Sequence, residues 1–454
     1  MPKYGTFYPL LSITAEGDGR PDEIMAATIG LRCLRCNAPY GPLDYARDCG
    51  KCNRDAPSNL VVDYGEGFLT SLPSRDALKG SGLWRYGDFL PVSRKEAVSL
   101  GEGGSPLHHL TSIGRALGIE GLFAKDETRN PTASFKDRLA CIAVSVAKKI
   151  SAPAIVSSST GNAGAAAAAY AAKAGLPCII FTAKSATGPL LTQMRAYGAD
   201  VIAVENKADR WPLMQRAVQD FGWFPTSPFF GPVVGSNPYG IEGYKTLAYE
   251  IAEQNDWRVP DYCVLPVCYG DALIGMWRGF QEMLLLGWID RLPRMMAAEI
   301  YGSLGAALQS GGDALPDMPN THDTIAKSTS ATRSTYQALH VLRQSGGSAT
   351  TVSNEAILTW QENLAETEGL YVEPAAAGAL AAVAQFLESG HIKKHDTVVA
   401  LLTASGLKDV EATAKAQGAL TLFDGNADAL FSKLNDRASA GSSARRRKVD
   451  STKS

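Results

Sequence analysis

The sequence predicts an α/β protein with mainly parallel strands, and three observations carry that reading. Short apolar runs alternate along the chain with stretches of helical periodicity, and no segment repeats another. The run Ala154 to Ser159 reads as a buried strand that Thr160-Gly161-Asn162-Ala163-Gly164 turns directly into an alanine-rich helix ending at Gly175, a strand, tight turn, helix unit. The 454 residues exceed the roughly 250 to 300 at which a single core stops growing, so more than one core is expected.

Residues 1–30 form an N-terminal segment without the charged-then-apolar pattern of a secretory signal. In residues 31–60, Cys33-Leu34-Arg35-Cys36 and Cys49-Gly50-Lys51-Cys52 form two CxxC knuckles, separated by about the length a zinc ribbon needs. Thiolates of Cys33, Cys36, Cys49 and Cys52 would make a closed tetrahedral site with no open position, so a zinc ion there would be structural. Two disulfides are the alternative; paired CxxC units favour the reduced, metal-bound state. Cys141, Cys178, Cys263 and Cys268 sit in apolar segments and read as packing residues.

The catalytic unit is expected over residues 61–430. Within it, Asn130-Pro131-Thr132-Ala133-Ser134-Phe135-Lys136-Asp137-Arg138 reads as a helix start, with Ser134 as N-cap and Asp137 completing a capping box. Lys136 then lies in the first turn, where the positive end of the helix dipole and exclusion of water both favour a neutral amine able to condense with an aldehyde. Phe135, Leu139, Ile142, Ala143, Val146 and Ile150 form the apolar stripe that packs this helix on a sheet. The turn at residues 159–164 points backbone N–H groups and small hydroxyls at one spot before a helix N-terminus, which suits an anion such as an amino-acid carboxylate. The alanines that follow are explained by close helix-to-sheet packing. Further on, Tyr262 to Pro266 reads as a strand, and Val267-Cys268-Tyr269-Gly270-Asp271-Ala272 as the loop leading into a helix over Leu273 to Phe280.

Both motifs resemble those of the fold type II pyridoxal phosphate enzymes, most closely the threonine synthase branch. Leu100-Gly101-Glu102-Gly103-Gly104-Ser105-Pro106-Leu107 resembles the family's GEGxTPL segment, Gln193 to Ala199 with the strand Val201 to Val204 resembles a unit of its smaller subdomain, Asn237 to Thr246 resembles NPxRxEGxKT, and Leu402 to Asp409 resembles LTGHGLKD. The ordered matches run from Leu100 to Asp409. The resemblance implies two open, mainly parallel sheets with helices on both faces, the cofactor between them and a smaller mobile subdomain at about residues 153–235. It also implies conversion of O-phosphohomoserine and water to threonine and phosphate.

Carried over by position, the resemblance makes Lys136 the residue that carries the cofactor and shuttles protons between substrate carbons. Asn162 would bind the ring oxygen, and Thr403 would face the pyridine nitrogen with a neutral hydroxyl suited to elimination and replacement. Ser159, Thr160, Asn162, Asn237 and Lys245 are expected to bind substrate. The cofactor phosphate is expected on backbone amides of Val267, Cys268, Tyr269, Gly270, Asp271 and Ala272, since amide donors need no particular side chain. This loop departs from the family's several glycines and asparagine, and Asp271 adds a charge that would repel phosphate unless it points away. Glu373-Pro374 opens a helix resembling the family's EPA element, with Glu373 either a pocket carboxylate or a helix-start acid.

The departure that bears on substrate is Gly240, where the family pattern has an arginine that makes a bidentate contact to the substrate's phosphate. Lys245, Arg138, Lys184 and Arg333 are candidate replacements, and Ala133 and Leu139 stand where the family prefers glycine. A β-eliminating or β-replacing lyase of the threonine or serine dehydratase, diaminopropionate ammonia-lyase or cysteate synthase type is therefore an alternative. A catalytically silent interaction protein on the same scaffold is another. Six histidines show no ligand spacing, and the formal net charge of −2 gives no sign of nucleic acid or membrane as partner. A cytoplasmic homodimer acting on a small amino acid is expected, with a disordered basic tail over residues 431–454.

Overall fold

The computed structural model describes residues 30–436, apart from 53, 54, 66, 185, 187, 418, 421, 424 and 433. The expected N-terminal segment up to residue 29 and the arginine-rich part of the expected tail, from Arg437, lie outside the described residues.

Thirteen strands among the described residues form three sheets. The first is antiparallel, with β1 (Gly30–Cys33) between β2 (Pro39–Tyr40) and β3 (Leu60–Asp63). The larger sheet has β4 (Leu107–His109) and β5 (Gly121–Asp126) at one side, and the second sheet is built from β6 (Ile155–Ser158), β7 (Cys178–Ala183), β8 (Asp200–Val204) and β9 (Phe224–Pro225). The larger sheet is completed by β10 (Tyr262–Pro266), β11 (Arg294–Glu299), β12 (Ser348–Thr351) and β13 (Thr397–Leu402). Its order is β12-β11-β10-β13-β5-β4, parallel throughout except for β4 against β5. The smaller sheet runs β8-β7-β6-β9, all parallel. Helices on both faces and nearly unbroken apolar central strands go together, because a parallel sheet reached by helical crossovers is covered on both sides.

Alternation along those strands builds two cores. Cys263, Leu265, Val399 and Leu401 face the side covered by helices at 136–149, 245–254, 271–285 and 336–345, while Val264, Val398, Ala400 and Leu402 face helices at 354–368 and 374–388. The alanine-rich helix Asn162–Ala174 lies against Lys136–Lys149, with Ala165 to Ala169 buried, so its small residues serve close packing. The smaller sheet has a separate cluster of Val156, Phe181, Met214, Ala217 and Phe229. No helix among the described residues is long and apolar enough to cross a membrane.

Candidate active site

Three segments singled out in the sequence leave neighbouring strands at one edge of the larger sheet. The turn carrying Lys136 follows β5, Val267 to Ala272 follow β10, and Thr403 follows β13, which lies between them. Ligands collect at this C-terminal edge because helix N-termini and loop amides face it. The turn at 159–164 leaves the corresponding end of β6 in the smaller sheet.

Backbone hydrogen bonds stitch these segments together. Phe135 N donates to Thr403 O at 2.8 Å, Ser405 N to Ala133 O at 3.0 Å and Glu373 N to Ala404 O at 2.9 Å. Ser134 Oγ accepts from the Lys136 amide at 3.3 Å, but the expected capping box does not form. The left-handed Ala133 (φ 60°) folds the chain back, and the Asp137 carboxylate accepts instead from Thr132 N at 2.7 Å and Thr132 Oγ1 at 2.6 Å. Lys136 Nζ lies 4.7 Å from the Phe135 ring centroid and 5.7 Å from that of Tyr244. The buried Tyr244 hydroxyl has no partner, and burial pushes its phenol well up, so it stays protonated.

Asn162 donates through Nδ2 to Glu373 Oε2 at 2.8 Å, and Ser328 donates to the other Glu373 oxygen at 3.0 Å. Glu373 is thus a buried acceptor that aims Asn162, with its carboxyl raised by burial as the largest effect. Asn162 Oδ1 is buried and unpartnered. Ser159 is committed elsewhere: its Oγ accepts from Gly161 N at 3.1 Å and Gly164 N at 3.0 Å, closing the turn from within. Thr160 is exposed at the mouth.

In the loop after β10, Gly270 adopts φ 76°, and a Cβ there would meet Ala338 Cβ at 2.6 Å, so the one glycine retained is the one the path requires. Asp271 points away from the loop mouth, accepting from Ser236 N at 3.0 Å, Ser236 Oγ at 2.6 Å and Gln337 Nε2 at 2.7 Å. The first amides of the helix Asp271–Leu285 are left for an anion, as at any helix N-terminus. Burial pushes the Cys268 thiol up to about 12, against the positive charges of Lys136 and Lys207, so it is no thiolate at neutral pH. The second Nδ2 hydrogen of Asn162, the unpartnered Tyr244 Oη, the helix-start amides and a lysine at the mouth together fit pyridoxal phosphate.

Several expected substrate groups are committed to other partners. Lys245 is fully buried, with Nζ held by Phe89 O at 2.7 Å and by Glu242 and Glu282 at 2.9 Å each, a charge consumed by its own cage. Asn237 caps its own helix, accepting from Tyr239 N at 3.0 Å and Gly240 N at 3.3 Å while donating to Pro225 O at 3.0 Å. Arg138 is buried between Glu127 and Glu250, each at 2.7 Å, and Lys184 pairs with Glu205 on the surface. Arg333 donates to Asp55 O at 3.1 Å. The position of the missing arginine is closed as well: a Cβ on Gly240 would stand 2.9 Å from Leu139 Cγ and 3.1 Å from Leu139 O.

The sequence did not single out Lys408, whose buried ammonium donates to Thr132 O; burial brings it down to about 8, against the pull of Asp137 and Glu373. Burial likewise raises Asp137 to about 7. Lys408 lies in the Leu402 to Asp409 motif and Tyr244 in the Asn237 to Thr246 motif, so motif membership was the available signal.

The four cysteine sulfurs lie within 4.8 Å of one another, with Cys33 to Cys52 at 3.7 Å and Cys36 to Cys49 at 3.5 Å. These separations are far above a disulfide and close to the roughly 3.8 Å edge of a tetrahedron with 2.3 Å zinc–sulfur bonds. Arg35 N and Cys36 N donate to Cys33 Sγ, and Tyr40 Oη to Cys49 Sγ at 3.1 Å, contacts that favour thiolates. The donor set fits zinc.

Residues 98–404 match the family described as pyridoxal-phosphate dependent enzyme. Threonine synthase of Methanosarcina acetivorans is 34% identical over 425 residues, covering 90% of this chain and 99% of that protein. Threonine synthase of a Bacillus species (strain ULM1) is 39% identical over 330 residues, 72% of this chain and 90% of the relative. Among solved structures, maize serine racemase superposes with a TM-score of 0.58 at 21% identity, covering 69% of this chain and 91% of that one. Threonine deaminase isoform 2 from Solanum lycopersicum gives 0.56 at 20% identity, covering 68% and 86%; likeness at these identities is one of fold. With two thirds of its length matching the family and relatives above 30% identity covered almost end to end, the chain belongs to the pyridoxal-phosphate dependent enzymes, as a threonine synthase-like lyase.

Proposed function

We propose that the chain converts O-phosphohomoserine and water to threonine and inorganic phosphate. The observation that carries this reading is the meeting of Lys136, Thr403 and the 267–272 loop at the ends of three adjacent strands, with Asn162 held by Glu373 beside them. Pyridoxal phosphate, when bound, supplies an electron sink for charge developing on the substrate carbons. Lys136 Nζ would carry it and, once displaced by the substrate amine, would move protons at substrate Cα and Cβ. The amides of Cys268 to Ala272 would hold the phosphate, whereas that of Val267, also expected there, donates to Ala298 O at 2.8 Å; the bonds of Asp271 to Ser236 and Gln337 keep its charge from opposing them. Asn162 keeps a second amide hydrogen for the ring oxygen, and Thr403 offers a neutral hydroxyl to the ring nitrogen. Closure of the subdomain at about 153–235 excludes water. Cys33, Cys36, Cys49 and Cys52 hold a structural zinc. Eight cysteines among the described residues form no disulfide, which suits a reducing compartment, and the reading extends to a cytoplasmic homodimer.

The protein loaded with cofactor, given O-phosphohomoserine, should release threonine and phosphate in equal amounts, and Lys136→Ala should release neither. A second reading, β-elimination or β-replacement on an amino acid without a γ-phosphate, is favoured by the space that Leu139 takes at Gly240. Turnover of a β-substituted amino acid in the same assay, with no threonine formed, would establish it over the first.

A further inference from the structure

The four-cysteine module is joined to the loop after β10 by one short chain of buried hydrogen bonds. Both knuckles hang on Ser58 and Asn59: Cys49 N donates to Ser58 O at 3.1 Å and Leu34 N to Asn59 O at 3.2 Å. The Asn59 side chain donates to Gln337 Oε1 at 2.7 Å, and Gln337 Nε2 donates to Tyr269 O and to Asp271 Oδ1, each at 2.7 Å. Asn59 is 3% exposed and Gln337 fully buried, so water does not replace these bonds. The orientation of the Gln337 amide is determined, since reversing it would set its oxygen against two acceptors and its nitrogen against the Asn59 donor. Gly235 leaves the space, because a Cβ there would stand 2.6 Å from Gln337 Nε2.

A second set of contacts docks the knuckles on the same helix. The Arg35 guanidinium, inside the first knuckle, lies 3.5 Å from the Tyr336 ring centroid and bonds Asp313 at 2.6 Å, and Arg343 pairs with Asp313 from the other side. Ser334 Oγ and Thr335 Oγ1, just ahead of Tyr336, donate to Cys268 O at 2.8 Å and Tyr269 O at 2.6 Å. The segment that presents Gln337 therefore carries most of the loop's supports, and the cysteine module presses on its start.

We propose that Asn59 and Gln337 are positioning residues through which metal in the four-cysteine module sets the affinity for the cofactor's phosphate. This rests on the reading that the loop after β10 takes that phosphate. Metal fixes the two knuckles, the knuckles fix Asn59, and Asn59 holds Gln337 against the loop. Without metal the loop keeps its Ser334 and Thr335 bonds but loses the orienting partner of Gln337, so binding weakens without being abolished.

The test is a spectroscopic titration of the cofactor-stripped full-length chain with pyridoxal phosphate, with zinc bound and after chelation, alongside circular dichroism and zinc content. Removing zinc should weaken binding roughly tenfold, about one net buried hydrogen bond. Asn59→Ala should weaken it by a similar factor with zinc content unchanged, and should make the affinity indifferent to chelator. Pyridoxal, which lacks the phosphate, should bind equally with and without zinc. Equal affinity for pyridoxal phosphate in the zinc-bound and chelated protein would overturn the proposal, as would a chelator effect that persists in Asn59→Ala or appears equally with pyridoxal. No binding of pyridoxal phosphate even to the zinc-bound protein would overturn the cofactor reading beneath it.

Discussion

Replacing Gly240 with alanine tests whether Leu139 has taken the space of the missing arginine. The added Cβ would stand 2.9 Å from Leu139 Cγ, 3.1 Å from Leu139 Cδ2 and 3.1 Å from Leu139 O. Cγ is the branching atom of the side chain, so a rotation of its far end does not relieve the contact. Overpacking of this kind costs about 1–3 kcal/mol. Leu139→Ala alone leaves a cavity at a buried position and costs about 2–5 kcal/mol. In the double variant the new methyl enters that cavity, so its cost should fall short of the sum by about 1 kcal/mol or more, with the remaining carbonyl contact keeping the relief partial. Thermal and urea unfolding of the four proteins under one set of conditions reads this coupling. Costs that add to within about 0.5 kcal/mol would refute the argument that the two positions share one space. If they do share it, Gly240→Arg should fold well only together with Leu139→Ala.

Four further outcomes are expected. The folded value of Asp137, about 7, lies above the 3.8 of an ordinary aspartate, so the stability it contributes is fully present below 3.8 and is lost as pH rises through about 7. Asp137→Asn should therefore gain steadily in melting temperature relative to the parent between about pH 5 and 7, and a constant difference would count against it. Lys408, brought down to about 8, has the opposite sense and loses stability as pH falls through about 8, so it should dominate the pH dependence in the Asp137→Asn background. Arg138→Met leaves Glu127 and Glu250 buried with Lys125 alone and should cost about 3–5 kcal/mol in unfolding, whereas a neutral effect would show the network contributes nothing net. Ala133→Gly removes left-handed strain and should stabilise by roughly 0.5–1 kcal/mol, a loss refuting the strain argument.

What was legible in the sequence is what local chemistry determines. The strand Tyr262 to Pro266, the helix ended by Gly175 and the turn at 159–164 follow from apolar runs and from glycine and serine at fixed places, and the structure has them there. What escaped depends on groups far apart in the chain. Asn59 meets Gln337 across 278 residues, and Asn162 meets Glu373 across 211. Lys245 and Arg138 look like available cations in the sequence, where a charge in a motif suggests a ligand; Glu242, Glu282, Glu127 and Glu250, which pair with them in the interior, announce nothing there. The capping box at Ser134 failed for a nearer reason, since Ala133 takes a conformation that alanine seldom adopts and so delivers Thr132 to Asp137.

The two departures from the family pattern have unequal consequences because the two anions are recognised by different means. A phosphate held on backbone amides at a helix start is indifferent to most side chains in the loop, and the single charge introduced, Asp271, is turned away by three donors directed at it from Ser236 and Gln337. Recognition that depends on one guanidinium has no such tolerance, and Leu139 has filled the space that an arginine at 240 would need. Two cations near the loop, Arg210 and Lys207, come from the segment between β8 and β9. Burial pushes the Tyr269 phenol up and the Arg210 charge pulls it back, while Lys207 acts in the same sense on Cys268. Arg210 opens the helix Arg210–Phe221, which packs on β6 and β7, and Lys207 lies in the turn just before it. A substrate phosphate met from that side would be held by cations of the smaller sheet rather than by the segment that carries Gly240.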